Sequence, residues 1–395
     1  MKKENFWWLP NFTTIFGLFL VLVGGALWLY RGDSINLGWL AFGIGTVGRI
    51  LDIADGGLAR WLKAITKSGK WLDPLCDKLG VYFILLVLLS SGVNPWLITI
   101  LAGLDYSSTA LRIAGISDLS AKWLGKRKTL VQSISLAIFP LANLTNFDVN
   151  FVGVGNGLLA IAAVLAVISV WQKAGNLANF LTCLNAVSGF LAIAAALHQN
   201  WWLALGYIFI AGIFDAADGF AARKFGSSGA SGAKLDDFSD ALSFGLAPGI
   251  IIAAFANFTW WGIAAGVFFT AAVWWRLRDF YYNGDLAPVG YFRGIPCPAG
   301  AGIVCLATVS GWPGGIVATV GIIAAILMVS FQISWPKQST FAKKFRETGF
   351  LEFFLLFILG VIISTLLSPA TGFLWGVMIF YLLSPGRKKF RPTAT

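Results

Sequence analysis

The sequence predicts an all-α polytopic membrane protein with about 14 transmembrane helices, arranged as two homologous units of about six and eight helices. Three observations carry this. Hydrophobic residues make up 57% of the 395 and charged residues only 12%, against roughly 25% charged in a water-soluble domain. That leaves too little polar surface to coat a soluble protein of this size. Apolar runs of roughly 20 residues recur from end to end, the length a helix needs to cross a bilayer, and the short alternating segments of a spanning barrel do not occur. One acidic pattern also appears twice at a constant offset. It divides the chain into units 1–174 and 175–395, with the boundary near Gln172 to Asn179.

Taken in order, the apolar runs place spans near residues 14–30, 36–60, 73–91, 95–115, 129–147 and 151–172 in the first unit. The second unit has them near 178–198, 201–225, 236–256, 259–279, 299–311, 313–334, 347–367 and 370–385. The first run continues past Leu29 with no small-residue cleavage site, so it reads as a retained span and not as a signal peptide. Trp7, Trp8, Trp201, Trp202, Trp260 and Trp261 fall at span ends, where an interfacial aromatic belt accounts for them.

The net charge of +11 is explained by topology and does not imply nucleic acid. With the N-terminus inside, the inner connections hold Arg60 to Lys70, Arg112 to Lys128, Lys173, Arg223 to Lys234, Arg276 to Arg293, Lys337 to Arg346 and Arg387 to Arg391. The outer connections hold Arg31 and almost nothing else basic. This asymmetry predicts an even number of spans and two cytoplasmic termini, with anionic membrane lipids and cytosolic phosphate compounds as partners. Cys76, Cys183, Cys297 and Cys305 show neither disulfide nor zinc spacing and read as small packing residues. His198 is the only histidine and lies near an outer connection, away from the acidic pattern.

The repeated pattern holds the chemistry. Its first copy has Asp52, Asp55, Gly56, Ala59, Arg60, Gly69, Asp73 and Asp77; its second has Asp215, Asp218, Gly219, Ala222, Arg223, Gly232, Asp236 and Asp240. Each pair is offset by 163 (215 − 52, through to 240 − 77). Asp52 and Asp55 are three apart near the inner end of one helix and share a face; Asp73 and Asp77 are four apart at the start of the next. A cytosolic connection between antiparallel helices brings the two pairs to one depth. Four ionised carboxylates in a membrane are costly unless cations neutralise them, and carboxylate oxygens suit a hard ion such as Mg²⁺ or Mn²⁺. Gly56, Ala59, Gly219 and Ala222 let a planar base or a diphosphate approach the helix backbone. Arg60 and Arg223 place a cation beside such phosphates, and Gly69 and Gly232 lie in the connection before the second acidic helix. Arg49, one turn before Asp52, can pair with an Asp or reach phosphate.

These residues resemble the signature of the CDP-alcohol phosphotransferase family, and both copies match it at every fixed position. The resemblance implies a six-helix core around each site and transfer of a phosphatidyl group from a CDP-activated lipid to a hydroxyl, with release of CMP. It further implies two Mg²⁺ or Mn²⁺ per site, held by Asp52, Asp55, Asp73 and Asp77 in one copy and by Asp215, Asp218, Asp236 and Asp240 in the other. Asp77 and Asp240 would serve also as general bases.

The second half is similar to membrane-type phosphatidylserine synthases through Asn179 to Asn185, Ser243 to Pro248, Arg276 to Phe280 and Tyr291 to Pro298. Arg278 and Arg293 are its candidates for holding the serine carboxylate. The first half is similar to the phosphatidylglycerophosphate synthase group through Leu9 to Asn11, Leu72 to Lys78, Leu124 to Thr129 and Gln132, and departs from it at Asp105 to Arg112. Lys126, Arg127 and Lys128 are candidates for the phosphate of sn-glycerol 3-phosphate; inositol phosphate and phosphatidylglycerol stay open as acceptors. The expected partners are therefore CDP-diacylglycerol or an isoprenoid counterpart and small polar alcohols. Pairing is expected either as a homodimer or between the two halves of one chain. Rival readings are one active half with a scaffold half, and a divalent-cation transporter. The second is disfavoured because the carboxylates sit at cytosolic helix ends and not at mid-span.

Overall fold

The structure, a computed structural model, describes residues 9–62, 69–117, 122–283, 291–331, 333–336, 371, 375, 378 and 381–382; the side chains of 9–11, 52–62, 69–75, 122, 283, 334 and 336 are outside the description. The chain forms two compact units.

Unit 1 comprises the described parts of Met1–Ala102 and Leu119–Ser169. Its first two helices, α1 (Leu9–Tyr30) and α2 (Ile35–Leu62), pack along each other, and α3 (Gly69–Val87) packs on α1. Glycine makes the first contact possible. A Cβ on Gly24 would lie 2.8 Å from the Gly45 nitrogen and 2.9 Å from the Ala41 carbonyl oxygen. In hydrocarbon no water is released when helices meet, so close backbone packing supplies the attraction. After α3 a 3₁₀ turn, Leu88–Ser91, is closed by Gly92 at φ +88°, leading into α4 (Pro95–Ile113). Asn156 fixes this turn: it accepts from the Asn94 N–H and donates to the Gly92 carbonyl, both at 2.9 Å.

The expected span 129–147 is interrupted. Helix α5 (Lys122–Ile138) stops before Pro140, which has no N–H to continue the ladder, and the short α6 (Leu141–Leu144) follows before α7 (Phe151–Ala174). Between α1, α2, α3 and α5 lies a cavity of about 220 Å³, lined mainly by apolar groups such as Val21, Ala41, Val87 and Leu136, with Arg49 among its walls.

Unit 2 comprises Val170 onward together with Gly103–Asp118, a stretch that belongs by sequence to the first repeat. Helices α8 (Leu177–Leu197) and α9 (Trp201–Lys224) form a hairpin. Each begins on an asparagine cap: Asn176 accepts from the Asn179 N–H at 2.8 Å and Asn200 from the Leu203 N–H at 3.1 Å. The next expected span, 236–256, starts six residues earlier (236 − 230) as α10 (Ala230–Asp240). It widens to a π segment at Ala241–Leu246 and continues as α11 (Ala247–Phe255). Helices α12 (Trp260–Asn283), α13 (Cys297–Val309) and α14 (Gly314–Val329) pack around it.

One feature departs from the all-helical expectation: strands β1 (Tyr291–Arg293) and β2 (Ser334–Pro336) pair antiparallel. Arg276 fastens this ribbon, donating to the carbonyls of Arg293 and Met328. Gly294, at φ +66°, passes so close to the Met328 carbonyl that a side chain there would collide with it.

Each of the twelve expected spans up to residue 334 contains helical structure, with 129–147 broken near Pro140 and 313–334 helical only to Val329. The expected span 347–367 and most of 370–385 lie outside the described residues. Among the described residues, five helices are long and apolar enough to cross a membrane: Phe12–Tyr30, Phe151–Ala174, Leu177–Leu197, Trp201–Lys224 and Ala230–Phe255. Burial separates them by role. Only 22% of the apolar window of Trp201–Lys224 is buried against 72% of that of Ala230–Phe255, so α9 offers its apolar side outward while α10–α11 forms the middle of unit 2. Large apolar side chains such as Phe209, Ile213 and Phe220 on α9 are exposed, a surface suited to lipid and not to water.

Candidate active site

In the second copy, α9 carries Asp215 and Asp218, and α10 carries Asp236 and Asp240. The fold brings three of them together: carboxylate oxygens of Asp215, Asp236 and Asp240 all lie within 4.8 Å of one another. Asp218 lies outside this group. It is buried, and its Oδ2 accepts the Thr182 hydroxyl at 2.6 Å. Asp240 is held by the Asn185 amide, whose Nδ2 donates to its Oδ1 at 3.1 Å, and the Asn185 carbonyl in turn accepts the Ser243 hydroxyl at 2.9 Å. Helix α8 thus orients one carboxylate of each acidic pair.

This donor set fits a hard divalent cation. Three carboxylates converge, and Asp236 Oδ1 is buried with no hydrogen-bond partner among the described residues. A buried acceptor left without a donor is costly, and a cation would complete it. The Arg223 guanidinium covers Gly219, 3.3 Å from where a Cβ would stand, and Gly232 faces the Asn179 amide oxygen, with 3.5 Å from an added Cβ. Ala222 is half-buried and Arg223 exposed.

In the first copy, Asp77 Oδ1 accepts from Arg49 Nη1 at 2.9 Å, so of the two options open to Arg49 the structure contains the ion pair. Asp52, Asp55, Gly56, Ala59, Arg60, Gly69 and Asp73 fall outside the described side chains. On α5, Lys126 and Arg127 are exposed and Lys128 is buried, with the Arg127 guanidinium 3.4 Å above the Trp123 ring centre. Arg278 stacks over Tyr282 at 5.6 Å, while Arg293 pairs with Asp279 at 3.6 Å and lies over Phe331 at 4.9 Å.

Sequence reasoning did not single out Thr182 and Asn185 as site residues. The available signal was a polar row, Asn179, Thr182 and Asn185, at three-residue spacing along an otherwise apolar helix, with all three buried. Polar side chains inside a span are expensive and mark function.

Helices that offer apolar surface to lipid, with converging carboxylates on facing helices, define an integral membrane enzyme. The model of the CDP-alcohol phosphatidyltransferase family matches residues 7–169 and again 175–333; the chain belongs to this family and carries two copies of its domain. Among similar proteins, a CDP-diacylglycerol–serine O-phosphatidyltransferase of Bacillus subtilis is 28% identical over 175 residues, 43% of this chain and 98% of that protein. A CDP-diacylglycerol–glycerol-3-phosphate 3-phosphatidyltransferase of the same organism is 34% identical over 125 residues, 31% of this chain and 64% of that protein. An archaetidylserine synthase of Methanothermobacter thermautotrophicus is 30% identical over 164 residues, 41% of this chain and 70% of that protein. The chain is a phosphatidyltransferase, and its relatives include both the serine and the glycerol-phosphate types.

Proposed function

We propose that the chain is a bifunctional phospholipid synthase. Each copy transfers the phosphatidyl group of CDP-diacylglycerol, or of an isoprenoid counterpart, to a hydroxyl with release of CMP. The acceptor is sn-glycerol 3-phosphate in residues 1–174 and L-serine in residues 175–395. The observation that carries this reading is the convergence of Asp215, Asp236 and Asp240, at positions the repeat duplicates as Asp52, Asp73 and Asp77.

The acceptor oxygen attacks the β-phosphorus; the new P–O bond forms as the bond to CMP breaks, and the acceptor proton passes to Asp240, or to Asp77 in the first copy. Asn185 holds one oxygen of Asp240 and so fixes the direction of the other. Two divalent cations per site, held by the four aspartates of each copy, would draw charge from the diphosphate and the leaving CMP. Gly219, Ala222 and Gly232, like Gly56, Ala59 and Gly69, leave room for the nucleotide, and Arg223 and Arg60 meet its phosphates. Lys126, Arg127 and Lys128 receive the acceptor phosphate in one copy; Arg278 and Arg293 receive the serine carboxylate in the other. The apolar cavity beside Arg49 suits hydrocarbon of the lipid substrate. Both sites open to the cytoplasm, where the charge asymmetry also puts both termini.

The test supplies the purified chain with CDP-diacylglycerol, Mg²⁺ or Mn²⁺, and serine, glycerol 3-phosphate, inositol phosphate or phosphatidylglycerol in turn, and measures CMP. Two acceptors should react. Asp77→Ala should abolish the glycerol phosphate product alone and Asp240→Ala the serine product alone, by at least about 100-fold. Metal uptake into liposomes without CMP release would instead identify a transporter.

A further inference from the structure

We infer that Tyr106, which lies in the first repeat by sequence, is a positioning residue of the second active site. The inference rests on the proposal that Asp215, Asp236 and Asp240 form that site. Tyr106 belongs to Gly103–Asp118, the stretch that folds within unit 2. Its phenol O–H donates to the Phe238 carbonyl at 2.8 Å, and Phe238 stands on α10 between Asp236 and Asp240.

The place on the helix matters. The π segment Ala241–Leu246 begins at the residue after Asp240, and where an α-helix widens its carbonyls change partners. The Phe238 carbonyl shares the Ala241 N–H with the Asp237 carbonyl within the helix and takes the phenol from outside it. A fixed external donor at that carbonyl selects where the widening begins, and with it the directions in which Asp236 and Asp240 project. The donor is itself held firmly. Its ring meets Phe190 edge-on at 5.6 Å, Ser107 Oγ donates to the Cys183 carbonyl at 3.2 Å, and Gly103 lies against Val187, 3.0 Å from an added Cβ. All three contacts are to α8, the helix that also presents Thr182 and Asn185 to the carboxylates. The segment from the first repeat therefore braces both supports of the acidic cluster.

Tyr106→Phe in the full chain removes the donor and keeps the ring. Mn²⁺ binding is read from the EPR signal of the free ion, and the Mn²⁺ population missing from Asp240→Ala marks the second site. In Tyr106→Phe that population should bind about 3- to 10-fold more weakly. The reaction that Asp240→Ala abolishes should need correspondingly more Mn²⁺ for half-saturation, with KM for the CDP-lipid and the other reaction unchanged. Tyr106→3-fluorotyrosine, which keeps a strong donor at neutral pH, should match the parent. Unaltered Mn²⁺ binding in Tyr106→Phe, an equal loss in both reactions, or a loss in the fluorotyrosine variant as large as that in Tyr106→Phe would each overturn the inference. If Asp240→Ala removes neither a Mn²⁺ population nor a reaction, the second-site reading itself falls, an outcome separate from a silent Tyr106.

Discussion

The two copies carry the same acidic pattern in different electrostatic settings. In the first, the last aspartate, Asp77, pairs with a guanidinium from Arg49 on the preceding helix. In the second, its counterpart Asp240 is held by a neutral amide, Asn185, and the position matching Arg49 (49 + 163) is Gly212. The backbones differ as well. The residues that follow Asp77 continue in α3 to Val87, whereas those that follow Asp240 widen into the π segment. Duplicated aspartates thus stand in unlike surroundings: the first copy has a guanidinium beside the proposed base, and the second has the dipole of an amide. This is the arrangement expected if two acceptors of different charge are served, a phosphate in one copy and a zwitterion in the other.

The sharpest way to break the comparison is to remove the charge. Arg49→Met should lower the Asp77-dependent reaction about 10- to 30-fold, the lower part of the range for a charged hydrogen bond, because Asp77 keeps 35% of its side-chain surface open to water. Arg49→Lys should recover part of the rate, and the Asp240-dependent reaction should not change. CMP release with each acceptor decides it; equal damage to both reactions would mean that the sites do not differ in this way. Removing the amide is milder. Asn185→Ala should slow the Asp240-dependent reaction about 2- to 10-fold and raise its Mn²⁺ half-saturation, with no effect on the first copy, as metal titrations would detect. The smallest effect belongs to the exposed cations. Lys126→Ala or Arg127→Ala should raise KM for glycerol 3-phosphate by about 2- to 5-fold with kcat and the serine reaction unchanged, so steady-state kinetics with both acceptors would sharpen the assignment of α5.

Much of this was legible in the sequence, because the signals were either periodic or duplicated. The apolar runs located the helices, and the repeat pointed to the acidic positions from which Asp215, Asp236 and Asp240 converge. Features set by neighbours distant in the chain were not legible. The ribbon of Tyr291–Arg293 with Ser334–Pro336 joins three-residue segments across two helices, too short for any pattern to register. Thr182 and Asn185 appear in sequence as polar residues on a span; only the fold gives them Asp218 and Asp240 as partners. The repeat also says nothing of where Gly103–Asp118 packs. That stretch contains Asp105 to Arg112, where the first half departs from the pattern of the group it resembles. Its fit to α8 and α10 supplies a physical reason for the departure.

The π segment works as a phase adjuster. An extra residue in one turn of helix rotates everything beyond it by about 100° relative to a regular continuation. Upstream, Asp236 and Asp240 face the acidic cluster; downstream, Ala247, Ile251 and Ile252 are fully enclosed in the centre of unit 2. One unbroken cylinder could not aim both sets where they now point. Deleting a single residue between Ala241 and Leu246 would iron out the bulge and leave the apolar end seated, while swinging the carboxylates about a quarter turn away from Asp215.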